Sequence, residues 1–271
     1  MTKAFYPRRK FRSISITGYI CQLNCEMCKG RYLRGMIPAP SPFLLRKMME
    51  GEMKKGVIGF LISGGFNERG VLPFRPFLNE ISEARKRGAI ISIHPGLVNE
   101  EESSLLRESV DIVDFELISG KAAYIKGGNP NLYEKSFKAL MERGPRIIVP
   151  HVIIGMPFSS FEDFKHSVDL SYEYGAEELV VLVFIPTPGT AFHNLTPSLE
   201  LIKKCISYAR RRSDILSLGC MRPNNMKKDI DRIAFEEGVD RIVLPSINSD
   251  FQLFDACCSV PENMLYLFKK D

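Results

Sequence analysis

A closed parallel (β/α)8 barrel of the TIM type, α/β in class, is the fold predicted for this chain of 271 residues. Three observations predict it. Eight apolar, β-rich runs of strand length recur along the chain, a helical pattern lies between each consecutive pair, and no linker, sequence repeat or low-complexity tract divides them. Strands alternating with helices argue for a parallel sheet, and eight units suit a closed barrel better than an open doubly wound sheet. With 45% hydrophobic residues one large core is feasible at this length. Residues 1–271 are therefore read as a single domain.

The eight runs are 13–18 (SISITG), 57–63, 89–94, 111–118, 146–155, 178–185, 215–220 and 240–245. Helical patterns fill 42–55, 76–88, 99–109, 131–144, 160–175, 198–212 and 227–238. Several stop on a glycine just before the next strand, as helix C-caps do: Gly88, Gly144, Gly175 and Gly238. Residues 1–12 form a basic N-terminal extension with Lys3, Arg8, Arg9, Lys10 and Arg12. Such a run reads either as a solvated tail or as a docking site for an acidic partner. Residues 246–271 form a C-terminal segment.

Charged residues make up 25% of the chain with mixed sign, and the net charge is +5. That balance describes a soluble protein with a mild basic bias and not a nucleic-acid binder. No apolar stretch approaches the roughly twenty residues that span a bilayer, so no membrane association and a cytoplasmic location are expected. Seven cysteines, an odd number, and no secretory leader argue against a disulfide framework.

Just past the first run, the segment TGYICQLNCEMCKG carries Cys21, Cys25 and Cys28. Three thiolates on a short loop can hold three irons of a [4Fe-4S] cube and leave the fourth open to a small molecule. A structural zinc site is closed by four ligands, yet the nearest histidine in sequence is His94 and the next cysteine is Cys205. An open cluster with catalytic chemistry is the expectation.

Barrel active sites form at the carboxyl ends of the strands. The second run ends on Ser63, Gly64 and Gly65, where missing Cβ atoms let the backbone approach a ligand or simply make a turn. The third ends on His94, a structural residue or one that binds a ligand or relays a proton. The fourth carries Glu116, costly to bury without a partner, and Ser119. The fifth ends on Ile153, Ile154 and Gly155, and the sixth runs through Val183, Phe184 and Ile185 into a proline-rich exit.

The Cys-x3-Cys-x2-Cys loop followed in order by Gly-Gly, the glycine of the fifth run and the proline-rich exit closely resembles radical S-adenosylmethionine (SAM) enzymes over most of the chain. The resemblance implies that the amino and carboxylate groups of SAM chelate the open iron and that Met27 lies against the adenine. Backbone groups of Ser63 to Gly65 would receive the SAM amino group, although Phe66 stands where the family often has an acid. Glu116, or its rival Ser119, would bind the ribose, Ile153 to Gly155 would flank the adenine, and Val183 to Ile185 would pair with its edge. Many members have six units, and this chain looks like the fuller barrels of the biotin synthase branch.

Cys220 ends the seventh run, and Cys257 with Cys258 follows the eighth. Cys205, in mid-helix, reads as a core residue. Gathered at the same mouth, the other three suggest an auxiliary iron-sulfur cluster, with Ser259 or Arg222 as a non-cysteine ligand. A barrel with two clusters resembles the sulfur-inserting biotin and lipoyl synthases. The terminal motifs of ordinary lipoyl synthase are absent, and the chain looks more like a component of the two-component lipoyl synthases found mainly in archaea. The resemblance implies sulfur insertion into an octanoyl chain on a lipoyl-carrier protein or peptide, a ferredoxin-like electron donor and a second radical SAM component. A radical SAM mutase or methyltransferase is the same-class alternative. A non-catalytic iron-sulfur electron carrier is the different-class one.

Overall fold

The computed structural model describes residues 1–270. In chain order the strands are β1 (Lys3–Phe5), β2 (Phe11–Ser15), β3 (Ile37–Pro38), β4 (Gly59–Ser63), β5 (Ile90–Ile93), β6 (Ile112–Glu116), β7 (Ile147–Ile154), β8 (Glu178–Val183), β9 (Ile215–Leu218), β10 (Arg241–Val243) and β11 (Gln252–Phe254). Seven helices intervene: α1 (Pro42–Met53), α2 (Leu78–Lys86), α3 (Glu100–Ser109), α4 (Pro130–Arg143), α5 (Phe161–Glu173), α6 (Leu199–Arg210) and α7 (Lys227–Glu236). Ser41, Asn129 and Ser198 cap helix starts, and Asn99 with Glu102 and Ser160 with Asp163 form reciprocal capping boxes. Gly88, Gly175 and Gly238 take the left-handed conformation expected of C-caps. Gly144 does not; it is extended, and a Cβ there would stand 2.5 Å from the Leu140 carbonyl oxygen.

The sheet order is β11-β1-β10-β9-β8-β7-β6-β5-β4-β2-β3 and every pair is parallel. All eight expected strands are present in the expected neighbour order. The closed eight-strand barrel is corrected to an eleven-strand sheet whose edge strands, β11 and β3, do not pair with each other. Chain length nevertheless forces the sheet to curl. Between β1 and β2 lie eight inter-strand steps, roughly 38 Å in a flat sheet, while the six residue steps from Phe5 to Phe11 reach about 21 Å at most. Where the ladder is broken, the Phe11 and Phe268 rings lie 6.0 Å apart.

The basic extension is not a tail. Lys3 to Phe5 pair with β10 on one side and β11 on the other. The backbone N–H groups of Arg8 and Arg9 donate to the Asp255 carboxylate, Lys3 pairs with Glu262, and Arg12 pairs with Glu52.

On the C-terminal side two arginines are fully buried. Arg241 donates to Glu178 at 2.7 Å, to Glu262 at 2.8 Å and to the Cys258 and Val260 carbonyls. Arg222 donates to Asp231 at 2.6 Å and to the carbonyls of Gly219, Val243 and Leu244, while Asp231 also accepts from the N–H and hydroxyl of Ser246. Every donor nitrogen of Arg222 is engaged, so it is not free to serve as a cluster ligand. Among the described residues no helix is long and apolar enough to cross a membrane.

Candidate active site at the carboxyl ends of the strands

The loop after β2 carries the first three cysteines, and its position is set by β4. Leu23 N–H donates to the Phe66 carbonyl at 2.9 Å, and the Gly65 N–H donates to the Thr17 hydroxyl at 2.6 Å. A Cβ on Gly65 would stand 2.1 Å from the Ile20 carbonyl oxygen and 2.4 Å from the Cys21 Cα. The Gly-Gly pair therefore admits the cysteine loop itself, whatever else it admits. The chain after β8 closes over the outer side, where Ala191 N–H donates to Glu26 at 2.6 Å and the Tyr32 and Thr187 hydroxyls lie 3.0 Å apart.

Under this loop lies a cavity of ≈ 860 Å³, counted to its open mouth. It brings together Cys21, Cys25, Cys28, Met27, Ser63, Gly64, Gly65, His94, Glu116, Ile153, Phe184 and Ile185 from the residues singled out in the sequence. Its wall is mainly apolar, with Leu23, Leu33, Met36 and Met221 completing it. The other expected residues fall outside this lining. The Ser119 hydroxyl is 2.8 Å from that of Ser167 in α5, and Val183 is fully buried in the core. Ile154 is likewise core, and Gly155 sits under Pro197, whose Cγ would be 2.3 Å from a Cβ there. Its φ of +73° is a second reason for glycine.

Lys126, which no sequence pattern singles out, also lines the cavity. Its Nζ is 2.7 Å from Glu116 Oε2, and their side chains are 13% and 11% exposed. Burial by itself would lower Lys126, but Glu116 and then Cys25 hold it well above the usual lysine value. Burial would raise Glu116, and Lys126 followed by His94 hold it below the ordinary carboxylate value. The same burial lowers His94, against the pull of Glu116, and the His94 ring meets Phe66 edge-on at 5.4 Å. A hydrogen bond from the Cys28 thiol, aided by the Lys126 charge and opposed by burial, pushes Cys25 down to about 6.

Among the described residues no group of three or more His, Cys, Asp or Glu side chains is already gathered so that it could hold a metal ion. Cys25 and Cys28 are in hydrogen-bond contact, whereas Cys21 Sγ faces the Phe66 carbonyl at 3.8 Å. The donor set still fits a cluster, with three thiols lining one cavity and a cation beside them.

The late cysteines do not line this cavity. Cys258 is buried with its carbonyl held by Arg241, and Cys257 accepts from the Ser259 hydroxyl at 3.3 Å. Cys220 keeps exposed surface, yet protein crowded around its thiol, and then Cys257, push it up to about 11.

No protein-family model matches the sequence and no curated protein matches it. Solved structures do. Methylornithine synthase PylB matches over 93% of this chain and 74% of its own, at 13% identity and a TM-score of 0.59. Streptococcus suis SuiB bound to S-adenosylmethionine matches over 82% of this chain and 52% of its own, at 16% identity and a TM-score of 0.60. The radical S-adenosylmethionine methyltransferase TsrM from Kitasatospora setae, solved with tryptophan and a SAM analogue, matches over 74% and 40%, at 16% identity and a TM-score of 0.50. At such identities what these likenesses show is the fold, which this chain shares with them.

Proposed function

We propose that this chain is a radical SAM enzyme. The observation that carries the reading is that Cys21, Cys25 and Cys28 line one cavity with Ser63 to Gly65, Met27, Ile153, Phe184 and Ile185. An electron carrier needs the thiols but has no use for that apolar chamber. When bound at the three thiolates, a [4Fe-4S] cluster supplies the electron that cleaves SAM to methionine and a 5′-deoxyadenosyl radical. The protein's part is to hold, orient and exclude water. Cys21, Cys25 and Cys28 offer the thiols, Gly65 lets the cysteine loop seat on β4, and Met27, Phe66, Ile153 and Phe184 give the cavity its apolar wall. The fold shared with a SAM-bound structure and with a radical SAM methyltransferase supports the reading. The test is anaerobic reconstitution followed by chemical reduction with SAM. The parent should release 5′-deoxyadenosine and the Cys21, Cys25 and Cys28 triple alanine variant none. Equal release by both would overturn it.

The finer reading is sulfur insertion into a protein-bound octanoyl chain, as a lipoyl synthase component with a ferredoxin-like donor and a companion radical SAM protein. Its support is the nearness of Cys220, Cys257 and Cys258: Cys257 helps to raise both the Cys220 and the Cys258 thiol, and Cys220 adds to the rise at Cys258. Two cubes would give about eight irons per chain against about four after their triple alanine replacement. Against it, these thiols lie off the main cavity, which favours the second reading, a mutase or methyltransferase working with one cluster. A parent that takes up only one cluster's iron decides for the second.

A further inference from the structure

The outer wall of the protein carries a basic groove that the cavity does not use. It runs between α5 and α6, measures ≈ 1020 Å³ counted to its open mouth, and has Phe161, Lys165, Lys203, Lys204, Tyr208 and Arg211 in its lining. Spacing builds it. Phe161, Lys165, Asp169 and Tyr172 recur every three or four residues along α5, and Lys204, Tyr208, Arg211 and Arg212 do so through the end of α6, so each set shares one helix face. The Phe161 and Tyr208 rings meet edge-on at 6.0 Å and form the floor. Lys204 Nζ stands 4.0 Å from the Phe161 centroid and Lys165 Nζ 5.6 Å from that of Tyr208, while the Arg211 and Arg212 guanidinium carbons lie 5.8 and 5.7 Å from Tyr208. Cations laid over ring faces are held in place. The Tyr208 hydroxyl donates to Asp169 at 2.6 Å, which fixes its ring in turn.

The charge on this face is only partly answered from within. Lys165 pairs with Glu162 at 2.9 Å, Arg212 with Asp169 at 3.5 Å and Lys203 with Glu237 at 3.7 Å, whereas among the described residues no carboxylate pairs with Lys204 or Arg211. Both of these are exposed. In the basic N-terminal extension, by contrast, Lys3 and Arg12 are paired within the chain. We propose that the groove between α5 and α6 docks an acidic helix of a partner protein, with its carboxylates on Lys204 and Arg211 and its apolar side chains on the Phe161 and Tyr208 rings. Arg211 follows Lys204 by seven residues, about 10.5 Å along a helix axis. A helix laid in the groove meets that spacing with acids two turns apart. Aromatic and arginine side chains are what protein interfaces concentrate at their centres. A nucleic-acid strand suits the face less, because Glu200 borders the groove, Glu162 and Asp169 stand beside it, and each would repel phosphate. The groove and the cavity share no lining residue, so this docking is independent of the chemistry proposed above.

The test follows, by fluorescence anisotropy, the binding of a labelled alanine-rich helical peptide of about eighteen residues, or five turns, with glutamates two turns apart and a phenylalanine between them. A twin with glutamine in place of glutamate is the neutral probe. The proteins are the full-length parent, Lys204→Glu with Arg211→Glu, the milder Lys204→Gln with Arg211→Gln, and Lys47→Glu with Lys54→Glu at α1. The α1 variant changes the net charge as much as the groove charge reversal does, and thermal unfolding is checked for each. The parent should bind the glutamate peptide at least tenfold tighter than its neutral twin, and added salt should shrink that preference. Charge reversal in the groove should cost at least tenfold and the glutamine variant less, while the α1 variant stays within twofold of the parent. A parent without preference for the glutamate peptide overturns the proposal. So does an α1 variant that loses as much as the groove variant, since the attraction would then be unspecific. An oligodeoxythymidylate of equal charge bound more tightly at the same two residues also overturns it, in favour of nucleic acid.

Discussion

Lys126 at the cavity and Arg222 on the C-terminal side are both buried cations held against one carboxylate, at 2.7 and 2.6 Å. Arg222 also satisfies three backbone carbonyls, and Asp231 takes two further donors from Ser246. Lys126 has Glu116 and open cavity. The Arg222 knot ties the exits of β9 and β10 to α7 with nothing left for a ligand, whereas the Lys126 pair lines the cavity beside the cysteine loop. Saturation separates a buried ion pair enclosed by the fold from one that borders a cavity.

Breaking each pair should expose that difference, beginning with the larger effect. Arg222→Met leaves Asp231 charged in a site with no solvent access, at a cost of about 3–5 kcal/mol. Urea unfolding should show the midpoint falling sharply with the slope unchanged. Replacing both partners, Arg222→Met with Asp231→Leu, should recover part of the loss because no lone charge remains. A single variant as stable as the parent would show that the knot is dispensable.

Glycines next to each region sharpen the contrast. Gly65→Ala drives a methyl into backbone atoms of the cysteine loop, while the Cβ of Gly219→Ala would meet side-chain tips, Leu182 Cδ2 at 2.4 Å and Val180 Cγ1 at 2.8 Å. Side-chain tips yield where backbone does not. Overpacking of this kind costs up to about 3 kcal/mol, and Gly65→Ala should sit at the high end and lose iron on reconstitution. Gly219→Ala should keep its iron. Equal iron in both, measured per folded chain, would mean that the cysteine loop does not depend on its seat.

The contrast also explains what the sequence could show. Eight strands were readable because each is an apolar run bounded by a helical pattern. Three were not, because β1, β3 and β11 are two or three residues long, below the length at which periodicity carries a signal. Gathering of the first cysteines at the cavity followed from their place after a strand. Lys126 was hidden, since a lysine in a short KAAYIKGG turn reads as solvated, and only the paired glycines behind it hinted at a close approach. Arg241 was hidden for another reason. Its partner Glu178 is 63 residues away, and local pattern cannot report such a pairing.

The smallest expected effect is the most specific. In the parent, Glu116 titrates below the ordinary carboxylate value of 4.5. Its contribution to stability is therefore present above that value and lost as pH falls through the lower, folded-state pKa. Lys126→Met removes the largest of the influences holding Glu116 down and leaves burial, which acts in the opposite direction. In the variant the folded-state value moves above 4.5, so stability falls as pH rises from that point until the carboxyl ionises. The two curves must diverge with rising pH. Near pH 4 parent and variant should differ little through this pair, and by pH 7 the gap should reach about 1–2 kcal/mol. Glu116→Gln combined with Lys126→Met has no carboxyl to titrate and should show no such widening. Thermal unfolding of the three proteins across pH 4 to 7 measures it. A gap that stays constant would show that water entering the open cavity already screens Glu116, and that the pair is no drier than the surface.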